Sequence, residues 1–294
     1  MNTRTAKAYR TRLRTVLQYI DTHLDDDLRV ETLAAVAAFS KYHFHRQFSA
    51  LFGIGVYQYV QLCRLKRASW QLALRGERPV TDIALENGYD GPEAFARAFR
   101  KRFGQAPSAF RKQPQWPSWH AAFQPLRTLR SDHMQANHHP GQVRIIHFDE
   151  TRVALLAHRG DPRLIGNAIR DFIAWRKQNR LPPAVSATYN LLYDDPAEVA
   201  PQDFRLDLCA ACEREITDNP FGVTAATIPA GRCAVLRHTG PDDTLAGSIR
   251  YLFADWLPDS GEELRDFPVF LQRVAFFPDV PESAAVTDIF LPLR

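Results

Sequence analysis

No apolar run of about 18 residues occurs in this sequence, which removes the membrane-crossing helix from consideration and with it a membrane partner. Cysteine is scarce: there are four in 294 residues, without a signal-peptide pattern at the start. That usage fits a protein of the reducing cytoplasm. Missing as well are the Gly-rich phosphate loop, His-Glu-x-x-His and Gly-x-Ser-x-Gly, and with them the sequence marks of several common enzyme chemistries. The sole Cys-x-x-C runs from Cys209 to Cys212 at the end of an expected strand. Residues three apart on a strand face opposite ways, so the pair reads as packing rather than redox or zinc chemistry. His133, His138, His139 and His147 are close in sequence but have no cysteine or acidic partner at ligand spacing, and they read as solvated loop. Neither an enzyme nor a metal or cofactor is expected.

What the sequence does have is charge, unevenly placed. Residues 1–112 hold 19 Lys and Arg against 10 Asp and Glu, net +9, whereas residues 113–294 hold 18 against 23, net −5. Cations on the front half can displace counterions from a phosphate backbone, and the back half has no such attraction. Two domains with different partners follow, which suits the length of the chain.

The basic half is written twice. In "GYDGPEAFARAFRKRFGQAPSAFRK", residues 88–112, Phe95, Phe99 and Phe103 share one helical face, while Glu93, Arg97, Arg100 and Lys101 turn to the other. Asp90-Gly91-Pro92 starts this helix, and Gly104 with Pro107 stops it. Upstream, "LAAVAAFSKYHFHRQFSALFG", residues 33–53, repeats the design with Phe44, Phe48 and Phe52, with Ser40 as cap and with Tyr42, His45 and Arg46 outward. A short alanine-rich helix precedes each, over 30–38 and 80–87, with Leu33 matching Ile83 and Ala34 matching Ala84. This is a helix-turn-helix in duplicate, and its second helices suit the roughly 12 Å major groove of DNA. Residues 56–76, free of proline and internal glycine, form a connecting helix of about 30 Å. That is close to the ~34 Å between successive major grooves. Lys66 and Arg67 on this strut are expected near the phosphates.

These residues carry a resemblance. Gly88-Tyr89, Phe95, Arg97-Ala98-Phe99, Phe103-Gly104, Pro107 and Phe110-Arg111 follow the signature of the AraC family of bacterial transcription factors, whose DNA-binding domain residues 10–112 resemble. The resemblance implies an all-α domain over 1–112 that binds double-stranded DNA, with RNA polymerase a further candidate partner. It carries base reading onto Tyr42, His45 and Arg46 in the first reader and onto Gly91, Glu93 and Arg97 in the second. Arg46 and Arg97 are the guanine candidates, since a guanidinium can bridge O6 and N7, while Gly91 offers only backbone. Lys41, Lys66, Arg67, Arg100, Lys101 and Arg102 form the expected phosphate-contacting set.

Residues 113–142, rich in proline, glutamine and polar residues, read as a linker partly docked through Trp116 and Trp119. A second repeat follows. "VALLAHRGDPRLIGNAIRDFIAW" from Val153 aligns with "CAVLRHTGPDDTLAGSIRYLFADW" from Cys233, so that His158 meets His238 and Gly160 meets Gly240. Each copy passes from a buried strand through a glycine turn into a helix. Further strands are expected at 186–193 and 204–209 in the first copy and at 269–276 and 286–293 in the second. The product is two related α+β units on one antiparallel sheet, with a pseudo-twofold groove.

Residues 143–294 resemble the GyrI-like effector-binding domain, through this repeat and "TDIFLPL" near the end. The family places an acidic residue, usually Glu, on the last strand facing the groove, and here that place is held by Asp288. A carboxylate among aromatic rings would attract an organic cation, and Tyr189, Tyr193, Trp175, Trp256 and Phe270 are the candidate liners. Asp207, at the related place in the first copy, is expected to make a structural hydrogen bond. The whole reads as a cytoplasmic multi-domain transcriptional regulator, with an all-α double helix-turn-helix followed by a duplicated α+β domain. Its expected effector is a small amphipathic or cationic molecule. Two other readings stand beside it: a small-molecule hydrolase using Asp288 or a groove tyrosine as base, and a protein-interaction or sequestering module without a ligand.

Overall fold

The computed structural model describes residues 3–294, excepting the side chains of residues 3–7 and 10. Two compact units compose it, Met1–Gln135 together with Phe277–Ser283, and Ala136–Phe276 together with Ala284–Arg294.

The first unit is helical: α1 (Thr3–Thr22), α2 (Val30–Val36), α3 (Lys41–Phe52), α4 (Val56–Leu74), α5 (Val80–Glu86), α6 (Pro92–Phe103), α7 (Pro107–Lys112) and α8 (Trp116–His133). The phenylalanine triplets of α3 and α6 are buried, with edge-on or tilted ring contacts such as Phe48–Phe52 at 4.7 Å and Phe99–Phe103 at 4.5 Å. Both helices end on a left-handed glycine, Gly53 and Gly104, a conformation that glycine adopts without the Cβ penalty. Leu33–Ala34 and Ile83–Ala84 are buried at matching places on α2 and α5, so the duplication seen in sequence is a duplication of packing.

Residues 113–142 are not a linker for most of their length, because 116–133 form α8. Trp116, Trp119, Phe123, Leu126 and Leu129 are buried in the helical core, and the Trp119 indole donates to Ser69 Oγ at 2.6 Å. These apolar residues keep a helical period that the glutamines and prolines obscure. Pro117 sits in the first turn, where the missing N–H costs nothing, and Pro125 is tolerated inside.

The second unit is built on β1 (Val143–Phe148), β2 (Thr151–Arg159), α9 (Ile165–Gln178), β3 (Thr188–Leu192), β4 (Arg205–Ala211), β5 (Thr224–Ile228), β6 (Gly231–Thr239), α10 (Leu245–Tyr251), α11 (Leu257–Ser260), β7 (Val269–Ala275) and β8 (Val286–Pro292). A π-helical stretch, Leu252–Trp256, joins α10 to α11. The strands form one eight-stranded sheet, antiparallel throughout, in the order β1-β6-β8-β7-β3-β4-β2-β5. Exchanging the two copies of the repeat reverses this order and leaves it otherwise unchanged, which is the signature of a pseudo-twofold axis. The axis passes through the central β3–β7 pair, where Asn190 faces Leu271.

Alternation along the strands divides the core by face. On one face α9 packs Phe172 and Trp175 against Ala154, Leu208 and Ala210. The second copy repeats this with Leu252 and Trp256 against Ala234, Leu236, Ile289 and Leu291. The opposite, helix-free face carries an aromatic cluster of Phe148, Tyr189, Phe270 and Phe290, with Phe270 and Phe290 stacked at 4.7 Å.

Candidate nucleic-acid interface and effector face

In the first unit, burial of one side of α3 and α6 leaves the other to solvent. Tyr42 is 77% exposed, and Lys41, His45 and Arg46 are exposed beside it on α3, with the Lys41 ammonium 5.4 Å from the Tyr42 ring centre. On α6, Glu93, Arg97, Arg100 and Lys101 are exposed, and Gly91 stands just before the first turn. The polar faces therefore present the side chains that groove reading requires.

Three of the expected phosphate contacts are engaged elsewhere. Lys66 is buried, with Nζ 2.7 Å from Glu282 Oε1. Arg130 Nη1 donates to the other oxygen of Glu282 at 2.5 Å, its Nη2 lies 3.8 Å from Asp21, and Asp21 accepts from the Ser283 N–H. A cation sealed into such a cluster cannot also reach DNA. Arg67 donates to Asn87 Oδ1 at 2.9 Å and to the Glu86 carbonyl, and burial lowers its pKa. Arg102 donates to the Ala122 carbonyl of α8. Lys66 and Arg67 are expected at phosphate from their place on the connecting helix and Arg102 from its basic charge, whereas the partners of all three are distant in sequence.

A residue that sequence reading missed holds the duplicated unit together. Arg64 on α4 donates to the Leu24 carbonyl at 2.8 Å, the Asp26 carbonyl at 2.7 Å and the Gly88 carbonyl at 3.1 Å. One guanidinium thus ties the chain before α2 to the turn before α6. Nothing in a single sequence distinguishes it from a solvated arginine.

In the second unit the candidate effector residues divide between the two faces of the sheet. Asp288, Tyr189 and Phe270 belong to the helix-free face, and Tyr193 continues the alternation of β3 just beyond its end. Trp175 and Trp256 instead lie under the helices on the other face, so they cannot line a pocket around Asp288. Tyr189 and Phe270 are buried in the aromatic cluster, while Tyr193 is partly exposed. Burial raises the pKa of both tyrosines, which weakens either as a general base.

Asp288 is 7% exposed, and its two oxygens accept from Arg237 Nε and Nη2 at 2.7 Å each. Its counterpart in the first copy, Asp207, is fully buried and accepts from Arg205 Nε at 3.3 Å and Nη2 at 2.7 Å. The Arg205 guanidinium lies 3.7 Å from the Tyr193 ring centre. An expected structural role for Asp207 and an expected ligand role for Asp288 thus meet the same local arrangement. A carboxylate already held at both oxygens is not a free base for hydrolysis.

Cys209 and Cys212 are both buried but belong to cores on opposite faces of the sheet, and burial raises the Cys209 thiol. Of the clustered histidines, His138 Nε2 meets Ser248 Oγ at 2.8 Å, and His133 packs edge-on against Phe52 at 5.2 Å. Among the described residues no group of three metal-ligating side chains converges, and no helix is long and apolar enough to cross a membrane.

Comparison with known proteins agrees with this division. The GyrI-like small molecule binding domain matches residues 141–294, and a helix-turn-helix domain matches residues 33–113. A probable transcriptional regulator of Escherichia coli K12, YgiV, is 38% identical over 152 residues, covering 51% of this chain and 95% of its own. The right origin-binding protein of the same organism is 36% identical over 107 residues, covering 36% of this chain and 37% of its own. Among solved structures, the DNA-binding domain of AdpA in complex with a target DNA is 31% identical, covering 35% of this chain and 96% of that one with a TM-score of 0.33. The C-terminal domain of EcmrR is 18% identical, covering 52% of this chain and 97% of that one with a TM-score of 0.41. The chain therefore belongs to the GyrI-like family, carrying that small molecule binding domain behind an AraC-type helix-turn-helix region.

Proposed function

We propose that the protein is a sequence-specific DNA-binding transcriptional regulator whose C-terminal domain senses a small amphipathic molecule. The observation that carries the DNA-binding half is the doubled reader: two helices of equal length, each backed by a buried phenylalanine triplet and each presenting an exposed arginine, Arg46 or Arg97, on its outer face. Phosphate contacts in this reading fall to Lys41, Arg100 and Lys101, which are exposed on the same two helices, and not to Lys66, Arg67 or Arg102. The family match supplies the ligand-binding half. Sensing requires that the ligand prefer one DNA-affinity state of the protein over another, since equal affinity for both shifts nothing.

Mobility-shift titration tests the assignment. Arg46→Ala and Arg97→Ala are each expected to cost about 1–3 kcal/mol on a specific site and little on scrambled duplex. Lys101→Ala should weaken both DNAs alike and flatten the salt dependence. Equal losses on both DNAs for all three variants would remove the base-reading roles.

A further inference from the structure

The helix-free face of the effector domain has a charge pattern that the carboxylate alone does not suggest. Register fixes which side chains share that face. Arg144 of β1 sits opposite Val235, Arg159 of β2 opposite Arg205 of β4, and Arg237 of β6 opposite Asp288 of β8. Val235 and Phe290 belong to the helix-free cluster, so by alternation these residues project from the same side of the sheet. The charged residues that the strands send to this face are four arginines, Arg144, Arg159, Arg205 and Arg237, and two aspartates, Asp207 and Asp288. The balance is +2, on the half of the sequence whose overall balance is negative.

Both aspartates are buried and both are held at two oxygens by an arginine, in each copy of the repeat. Of the two partners, Arg237 faces outward, its side chain 55% exposed, whereas Arg205 is half-buried against Tyr193. An incoming cation would have to displace a bidentate guanidinium from Asp288, giving up two charge-assisted hydrogen bonds before gaining its own. An incoming anion would meet a guanidinium already oriented, with Nη1 uncommitted to Asp288. Arg144 lies diagonally across the β1–β6 pair from Arg237, at a spacing of about 7–8 Å typical of such neighbours, and adds a second positive charge at the same end.

We propose that this face recognises an organic anion, with the Arg237 guanidinium, held by Asp288, meeting its acidic head and setting charge specificity. This rests on the ligand-sensing reading above and names the chemical class of that ligand. Asp288 is then a positioning residue for Arg237 and not the group that meets the ligand.

The test uses the full chain and two probes matched in length and opposite in charge, hexanoate and hexylammonium, titrated by calorimetry. Hexanoate is expected to bind at least tenfold more tightly, and Arg237→Gln to abolish that preference. Asp288→Asn should weaken hexanoate several-fold, because the guanidinium keeps its charge but loses its orientation. If Arg237→Gln does not fold, Arg237→Lys keeps the charge without the fork and should also weaken hexanoate several-fold. Tighter binding of hexylammonium, lost in Asp288→Asn, would overturn the anion assignment while leaving ligand sensing intact. A hexanoate preference untouched by substitution of Arg237 would place the anion elsewhere and overturn the role given to this residue. Binding of neither probe would also overturn the assignment, and sensing would then stand or fall on DNA selection with a chemically broad library.

Discussion

Glu282 offers the sharpest test of the packing of the helical unit. It is 4% exposed, it accepts from Lys66 and Arg130, and both of those cations are buried. Replacing it with alanine takes from two buried positive charges the carboxylate that Lys66 meets at 2.7 Å and Arg130 at 2.5 Å. Removing one partner of a buried ion pair costs about 3–5 kcal/mol, because the charge left behind has neither water nor a counterion. For a cooperative unit of this size, each kcal/mol lowers the midpoint by about 2–4 °C, so Glu282→Ala should lower the midpoint of the helical unit by about 10 °C. Scanning calorimetry of the full chain, with circular dichroism at 222 nm to identify the transition that loses most helix, reads this directly. The double variant Lys66→Met/Glu282→Leu, which removes a matched pair of opposite charges, should lose less than Glu282→Ala alone. A midpoint within about 1 °C of the parent in Glu282→Ala would show that the cluster is hydrated and that the reasoning is wrong.

Two further outcomes follow from local geometry. Gly88 has φ +70°, and a Cβ there would collide with the Arg64 guanidinium, so Gly88→Ala should destabilise the protein by about 1–3 kcal/mol in urea titration, by backbone strain together with the displaced guanidinium. His238 is buried against Ser248 and Thr244, and burial lowers its pKa below the ordinary value of 6.5. The unfolded chain then takes up the proton first. Stability from this residue is complete above about pH 6.5 and is lost as pH falls below it, at no more than about 1.4 kcal/mol per pH unit, until the folded form also protonates. Urea titrations at pH 7.5 and 5.5 should show that fall, and it should shrink in His238→Gln.

The parts of the fold legible in sequence were those whose signal is periodic. Phe44, Phe48, Phe52 and Phe95, Phe99, Phe103 mark their helices by spacing alone, and the 80-residue offset of His158 and His238 marks the duplicated sheet. Strands β1 and β5 leave no such signal, since each is a short strand at an edge of the sheet with a mixed burial pattern. Helix α8 was hidden by its prolines and glutamines. At the site level, exposure on α3 and α6 follows from the helical wheel, whereas the engagement of Lys66, Arg67 and Arg102 is invisible in sequence because their partners, Glu282, Asn87 and Ala122, become neighbours only on folding. The same holds for Asp288: its place on the last strand could be read from the resemblance, but the arginine that neutralises it lies 51 positions away. Aromatic character alone groups Trp175 and Trp256 with it, whereas both stand on helical segments that pack against the opposite face of the sheet.

In the proposed function a doubled reader of DNA is joined to a small-molecule sensor. Selection of bound sequences from random duplex DNA by the full chain, with and without a library of anionic, cationic and neutral amphipathic compounds, tests it most directly. The expected result is an enriched site of about 20 base pairs, with two blocks one helical turn apart, and a change in enrichment with at least one class of compound. Failure to enrich any sequence at any salt concentration would contradict specific regulation, and an enriched site indifferent to every compound would contradict the sensor.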